Sequence, residues 1–194
     1  EGDAAAGVRA ALERGALAAV QLLGRTDGFL GDPRVRIPLP ENLERVATLL
    51  KAIGQGKRVD ELVTAMNRAA EAAVPEARTL FVSTVKQMSV EDALSVVRGG
   101  PSAATGLLQG ALGTRLVETM LPSIGDGLRL FDSGVVTEAL RLVSGIDFAG
   151  LRADVSRKAS DSVYRAIGRE EAAIRANPAA TGDPLIAAVF GLAR

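Results

Sequence analysis

An all-α fold is predicted by three features of this chain. Apolar residues recur at helical spacing along most of its length. Helix-start and helix-stop residues separate those stretches. The apolar set is dominated by small and aliphatic side chains, with aromatics at only 3%, which favours closely packed helices over a sheet core. The expected architecture is a compact irregular multi-helix bundle of about eight to ten helices with one extended non-helical segment. At 194 residues the chain suits a single helical domain over residues 1–194.

The elements follow in order. Leu12, Ala16, Ala19, Val20 and Leu23 form the first stripe, with Arg9 and Glu13 four apart on its polar side and in pairing reach. Leu43, Val46, Ala47, Leu50 and Ile53 form the second, started by Pro40 and ended by Gly54 and Gly56. Val59, Leu62, Val63, Met66, Ala70 and Ala73 form the third. Pro75 opens a fourth helix that turns Phe81, Val85 and Met88 inward. Ser89 and Asp92 have capping-box spacing ahead of a short fifth helix.

From Ser102 onward two outcomes stand side by side. One is a continuous helix to Met120 whose Gly106, Gly110 and Gly113 form a groove for another helix; the other is a broken helix. Pro122 to Asp132 and Gly134 to Ser144 read as shorter helices. Leu151 to Ala176 reads as one long helix ended by Asn177-Pro178. Asp183-Pro184 then caps and opens a last one. Arg25 to Leu39 is the exception. Asp27-Gly28 and Gly31-Asp32-Pro33 are turn chemistry, and Val35, Ile37 and Leu39 alternate with polar or proline positions, as in an extended strip with one side docked.

Composition removes whole classes of chemistry. The chain has neither histidine nor cysteine, so Ser-His-Asp triads, Cys-His dyads, zinc sites and dithiol redox centres are excluded. Lys+Arg and Asp+Glu are both 23, so the footprint of a nucleic-acid binder is missing. The longest uncharged run, Gly99 to Thr114, falls short of the roughly 20 apolar residues of a membrane span, and no transmembrane segment is expected. Gly54-Gln55-Gly56-Lys57 lacks the strand and hydroxyl of a phosphate loop. No cofactor and no metal are indicated. The chain begins at Glu1 and not at methionine, as expected of a processed or trimmed start, from which any export signal would already be gone.

Three polar constellations remain as binding candidates, and none is catalytic. Thr26, Asp27 and Asp32 lie in the glycine-rich loop and offer oxygens to a hard cation; the competing expectation is that both carboxylates bond their own turns. Asn67, Arg68 and Glu71 share one edge of the third stripe. They offer an arginine fork for a carboxylate or amide ligand, or else a bridge tying this helix to the Arg25–Leu39 segment. Glu170 falls among Val163, Ala166, Ile167 and Ile174 on an apolar face. A buried carboxylate there is a site candidate, or one neutralised by an arginine or a helix N-terminus. Glu171 and Arg175 are expected to form a surface pair. Lys86 is expected to snorkel to water.

The run LGRTDGFLGDPRVRIPLP from Leu23 to Pro40 resembles the signature of a bacterial helical family catalogued as domain of unknown function 4197. So do MNRAAEAAVPEA from Met66 to Ala77, FVSTVKQMSVEDA from Phe81 to Ala93 and IGREEAAIRANPAATG from Ile167 to Gly182. The blocks stand in the family's order and span nearly the whole chain, with agreement weakest from Ser102 to Asp147. The resemblance implies an all-α domain and an exported, periplasmic protein whose signal peptide is removed. It implies no reaction and no catalytic residues.

The functional expectation is therefore a non-enzymatic, exported binding or protein-interaction domain that meets an unknown protein or small-molecule ligand. Its contact surface is expected at the Arg25–Leu39 strip and the Asn67–Glu71 edge. The alternatives are a carrier for a lipid or small apolar ligand between glycine-rich helices, and a carboxylate-based hydrolase using Glu170.

Overall fold

A computed structural model describes the backbone of residues 2–142 and 148–191, and the side chains of residues 2–129 and 148–191. Among the described residues the fold is all-α, with no strand. The helices are α1 (Gly2–Gly24), α2 (Glu41–Ala52), α3 (Gly56–Ala73), α4 (Arg78–Lys86), α5 (Val90–Arg98), α6 (Ala103–Leu112), α7 (Arg115–Leu142), α8 (Phe148–Ala176) and α9 (Pro184–Gly191). Short 3-10 turns lie at Val74–Ala77 and Pro178–Thr181. No described helix is long and apolar enough to cross a membrane. The chain divides into two compact units, each discontinuous in sequence. The first comprises residues 1–21, 76–116 and 163–194, and the second residues 22–75 and 117–162.

In the first unit, caps and buried stripes act together. The Ser89 hydroxyl accepts the Asp92 amide at 3.1 Å and starts α5, as its spacing predicts. Asp183 accepts the Leu185 amide at 2.8 Å and starts α9. Phe81, Leu108, Val163 and Ile167 are fully enclosed. The Arg9 guanidinium reaches across the unit, where its Nη2 donates to the Met88 carbonyl at 2.6 Å. Helix α9 lies against α1 at Gly7, where a Cβ would sit 2.5 Å from Val189 Cγ2 and 2.8 Å from the Leu185 carbonyl.

In the second unit, α2 and α3 pack as a hairpin turned by Gly54 at φ +82°. Gly56 begins α3 and does not end α2. Of the predicted α2 stripe only Leu43 and Ala47 are buried, while Ile53 is 71% exposed. The arc that α2 turns toward its own unit is thus narrower than the apolar arc in its sequence. Helices α3 and α7 approach closely at Gly127, whose Cβ would meet Ala69 Cβ at 2.9 Å.

The middle of the chain resolves into the broken alternative. Gly113 adopts φ +55°, which glycine tolerates and side chains resist, and it ends α6. Beyond it the two short helices expected at 122–132 and 134–144 are one helix, α7, with Pro122 inside; positions 143 and 144 lie outside the described residues. Proline costs a helix bond, but Met120, Ile124 and Leu128 are all fully buried at four-residue spacing across it. That burial holds the helix through the proline. The groove predicted at Gly106, Gly110 and Gly113 is not formed: each is exposed, and no atom lies within 4 Å of an added Cβ. The close approaches fall instead at Gly7 and Gly127.

These two kinds of helical glycine predict opposite responses. Gly15 is buried in α1, and a Cβ there would meet only Glu170 Cβ, at an ordinary 3.4 Å. Gly15→Ala should raise stability by about 1 kcal/mol through helix propensity. Gly7→Ala should lower it by roughly 1–3 kcal/mol through overpacking. Denaturant midpoints for the two variants check both signs.

Candidate functional site

The non-helical strip after α1 is held by side chains of α3. Its first half is a run of turns. Gly31 donates to the Asp27 carbonyl at 2.9 Å and Gly28 to the Arg25 carbonyl at 3.0 Å. Gly28 is required there, since a Cβ would lie 2.5 Å from the Leu23 carbonyl. Asp27 sits at φ +66°, in the left-handed region that aspartate tolerates better than most residues. Its second half, residues 36–40, is neither helix nor turn.

Asn67 is fully buried and meets the strip at two points. Its Oδ1 accepts the Ile37 amide at 2.8 Å, and its Nδ2 donates to the Ile37 carbonyl at 3.0 Å and to the Val63 carbonyl at 2.8 Å. One side chain thereby supplies the donor and the acceptor that a neighbouring strand would offer. One turn on, the buried Glu71 accepts the successive amides of Phe29 and Leu30 on Oε2, at 3.1 and 3.0 Å. Its Oε1 takes Arg68 Nη1 at 2.8 Å, and Arg68 Nη2 reaches Asp27 at 2.9 Å. Hydrogen bonding to Glu71 raises the Arg68 pKa above its usual value; partial burial opposes this and Asp27 adds to it. Asn67, Arg68, Glu71 and Asp27 are thus brought together, as the bridge between α3 and the strip that their spacing allowed.

The remaining loop candidates stand apart from that bridge. Asp32 accepts the Arg34 backbone amide at 2.9 Å and pairs with the Arg34 side chain, raising the pKa of that guanidinium. This is the turn bonding expected of an aspartate before proline. Thr26 is exposed. Among the described residues no group of three or more acidic side chains is placed to hold a metal ion.

At the other candidate the sequence reading is off by one residue. Glu170 is only half-buried, and Glu171 is the enclosed carboxylate, 6% exposed. Glu171 accepts the amides of Ala104 and Thr105 at 3.0 and 2.8 Å and the Thr105 hydroxyl at 2.7 Å, so it caps the start of α6. Arg175 donates to it at 2.9 Å, bonds the Val96 carbonyl at 2.9 Å and lies over the Phe190 ring. The expected surface pair is therefore a buried one. A signal was present: Leu151, Val155, Ala159, Val163 and Ile167 recur every four residues, and Glu171 is the next term. The enclosed space beside it, lined by Ala11, Leu12, Gly15 and Phe190, amounts to about 10 Å³, roughly the room for one water.

One open feature borders the strip. A groove of about 430 Å³ lies between Arg36, Pro38 and Leu39 of the strip, Glu44, Ala47, Thr48 and Lys51 of α2, and Val59, Asp60 and Val63 of α3. Sequence inspection passed over it because its charged residues are scattered on three segments.

Two outcomes follow from these placements. Asn67→Ala leaves both Ile37 backbone groups without partners in a buried position and should cost about 2–4 kcal/mol. Amide exchange at Ile37 should accelerate, while Thr26→Ala stays within about 0.5 kcal/mol of the parent. Tyr164, the sole tyrosine, is buried with no hydrogen-bond partner for its hydroxyl, and burial pushes its pKa up to about 12, with Arg115 opposing. The unfolded chain loses this proton near pH 10, so the Tyr164 contribution is intact below pH 10 and lost as pH rises toward 12. Phenolate absorbance should titrate near 12 in the folded protein, and Tyr164→Phe should flatten that alkaline loss of stability.

No curated protein and no solved structure matches the chain. A family described as "Protein of unknown function (DUF4197)" matches residues 1–191, nearly the whole length. The segments along α3 and at the end of α8 hold the side chains that bond distant backbone within their own units, Asn67 and Glu71 in one and Glu171 in the other. The chain belongs to the DUF4197 family.

Proposed function

We propose that this chain is a non-catalytic binding or protein-interaction domain, exported to the periplasm, that meets its partner along the Arg36–Leu39 strip. The observation that carries the reading is the groove. The strip is fixed on one side by Asn67, and its other side borders an open channel that α2 and α3 complete. A segment whose backbone is already held by a buried side chain is suited to recognition, because less conformational entropy is lost on binding. The two buried carboxylates of these clusters are engaged in the fold: Glu71 and Glu171 each hold two backbone amides and an arginine. Support for the periplasmic address is the family resemblance and its implied export signal.

A photo-crosslinking residue at Arg36, in the full-length protein expressed in its host, tests both parts. One discrete adduct in the periplasmic fraction is expected. Adducts no more frequent than from the exposed control position Lys86, or protein confined to the cytoplasm, would overturn the reading.

A further inference from the structure

We infer that the groove beside the strip takes a short peptide with free ends, bound by both of its terminal charges. This inference rests on the reading above and names the ligand class of the same site. Four charged side chains line the channel, Arg36 and Lys51 of one sign and Glu44 and Asp60 of the other. Among the described residues none of the four has an ion-pair partner, although Arg68, Asp154 and Arg175 in the same chain all do. A lone anion or cation would gain from two of these groups and lose to the other two, because the lining has no net charge. A ligand carrying both signs gains from all four.

The dimensions narrow the class. Glu44 and Lys51 are seven residues apart on α2, about 10 Å along the axis at 1.5 Å per residue. An extended tripeptide, at roughly 3.3–3.6 Å per residue, separates its ammonium and carboxylate by about the same length. Thr48 lies midway on that wall and already donates its hydroxyl proton to the Glu44 carbonyl at 3.0 Å. Its oxygen is left to accept a peptide N–H. Leu39, Ala47 and Val59, all buried, supply an apolar floor for a small side chain. The volume, about 430 Å³, lies in the range of small-ligand sites.

The whole chain is titrated with trialanine and with its N-acetylated, C-amidated form, and backbone amide resonances are followed. Trialanine should shift Thr48, Lys51 and Asp60 saturably, and blocking both ends should weaken binding by about tenfold or more. Glu44→Gln and Lys51→Gln, whose side chains have no ion-pair partner among the described residues, should each weaken trialanine binding about tenfold with unchanged helical circular dichroism. No saturable shift, equal binding of the blocked peptide, or indifference to both substitutions would overturn the peptide proposal. If crosslinking from Arg36 still succeeds in that case, the interaction-domain reading stands and only the ligand class falls.

Discussion

Buried side-chain carbonyl and carboxylate groups that satisfy distant backbone amides are the interaction on which the rest of this structure depends. A segment without helix or strand carries amide and carbonyl groups that must find partners when covered. The strip after α1 is such a segment. Asn67 answers one residue of it completely, and Glu71 answers two successive amides nearby. Removing either partner leaves buried polar groups exposed to no solvent, which costs more than the bond contributes when present. That asymmetry makes the strip's conformation specific.

The same device recurs in the first unit with different elements. Glu171 on α8 holds the amides of Ala104 and Thr105, and an arginine completes its coordination. In both units a carboxylate receives two consecutive backbone N–H groups and a guanidinium; on Glu71 the amides share one oxygen and the arginine takes the other, whereas on Glu171 the amides are divided between the two oxygens. A buried charge is tolerable only when paired and hydrogen-bonded, and each of these is both. The pairs at Arg34 and Arg157, by contrast, lie on side chains that are 64% and 65% exposed, where solvent screening leaves little net stabilisation. The buried carboxylates Glu71 and Glu171 are thus committed to holding the chain's own backbone. What stays uncommitted is the lining of the groove, whose fixed wall is the strip that Asn67 secures.

Much of the fold was legible because helix formation is local. Ser89 and Asp183 announce their helices through side chains that reach only three residues ahead, and the stop at Asn177-Pro178 follows from proline's steric demand on its neighbour. The bridge between α3 and the strip was legible as one of two readings, since residues 67, 68 and 71 share a helix edge whatever lies beyond it. Pro122 misled because its local cost was outweighed by the burial of Met120, Ile124 and Leu128, which no local rule contains. Glu170 misled by one residue, because a wheel drawn at 3.6 residues per turn does not reveal which edge of the stripe the neighbouring helix covers.

The amino-acid sequence by itself determined the helical class, the caps, the turn chemistry of residues 25–35 and the exclusion of histidine and cysteine chemistry. Each of these is a property of single side chains or of neighbours within about one helical turn. Tertiary structure alone decided which glycines admit a neighbouring helix and which carboxylates are buried. It also brought Arg36, Glu44, Lys51 and Asp60 to border one channel. Those outcomes depend on atoms far apart in the chain meeting at van der Waals distance, and the spacing of letters along one segment holds no record of what packs against it.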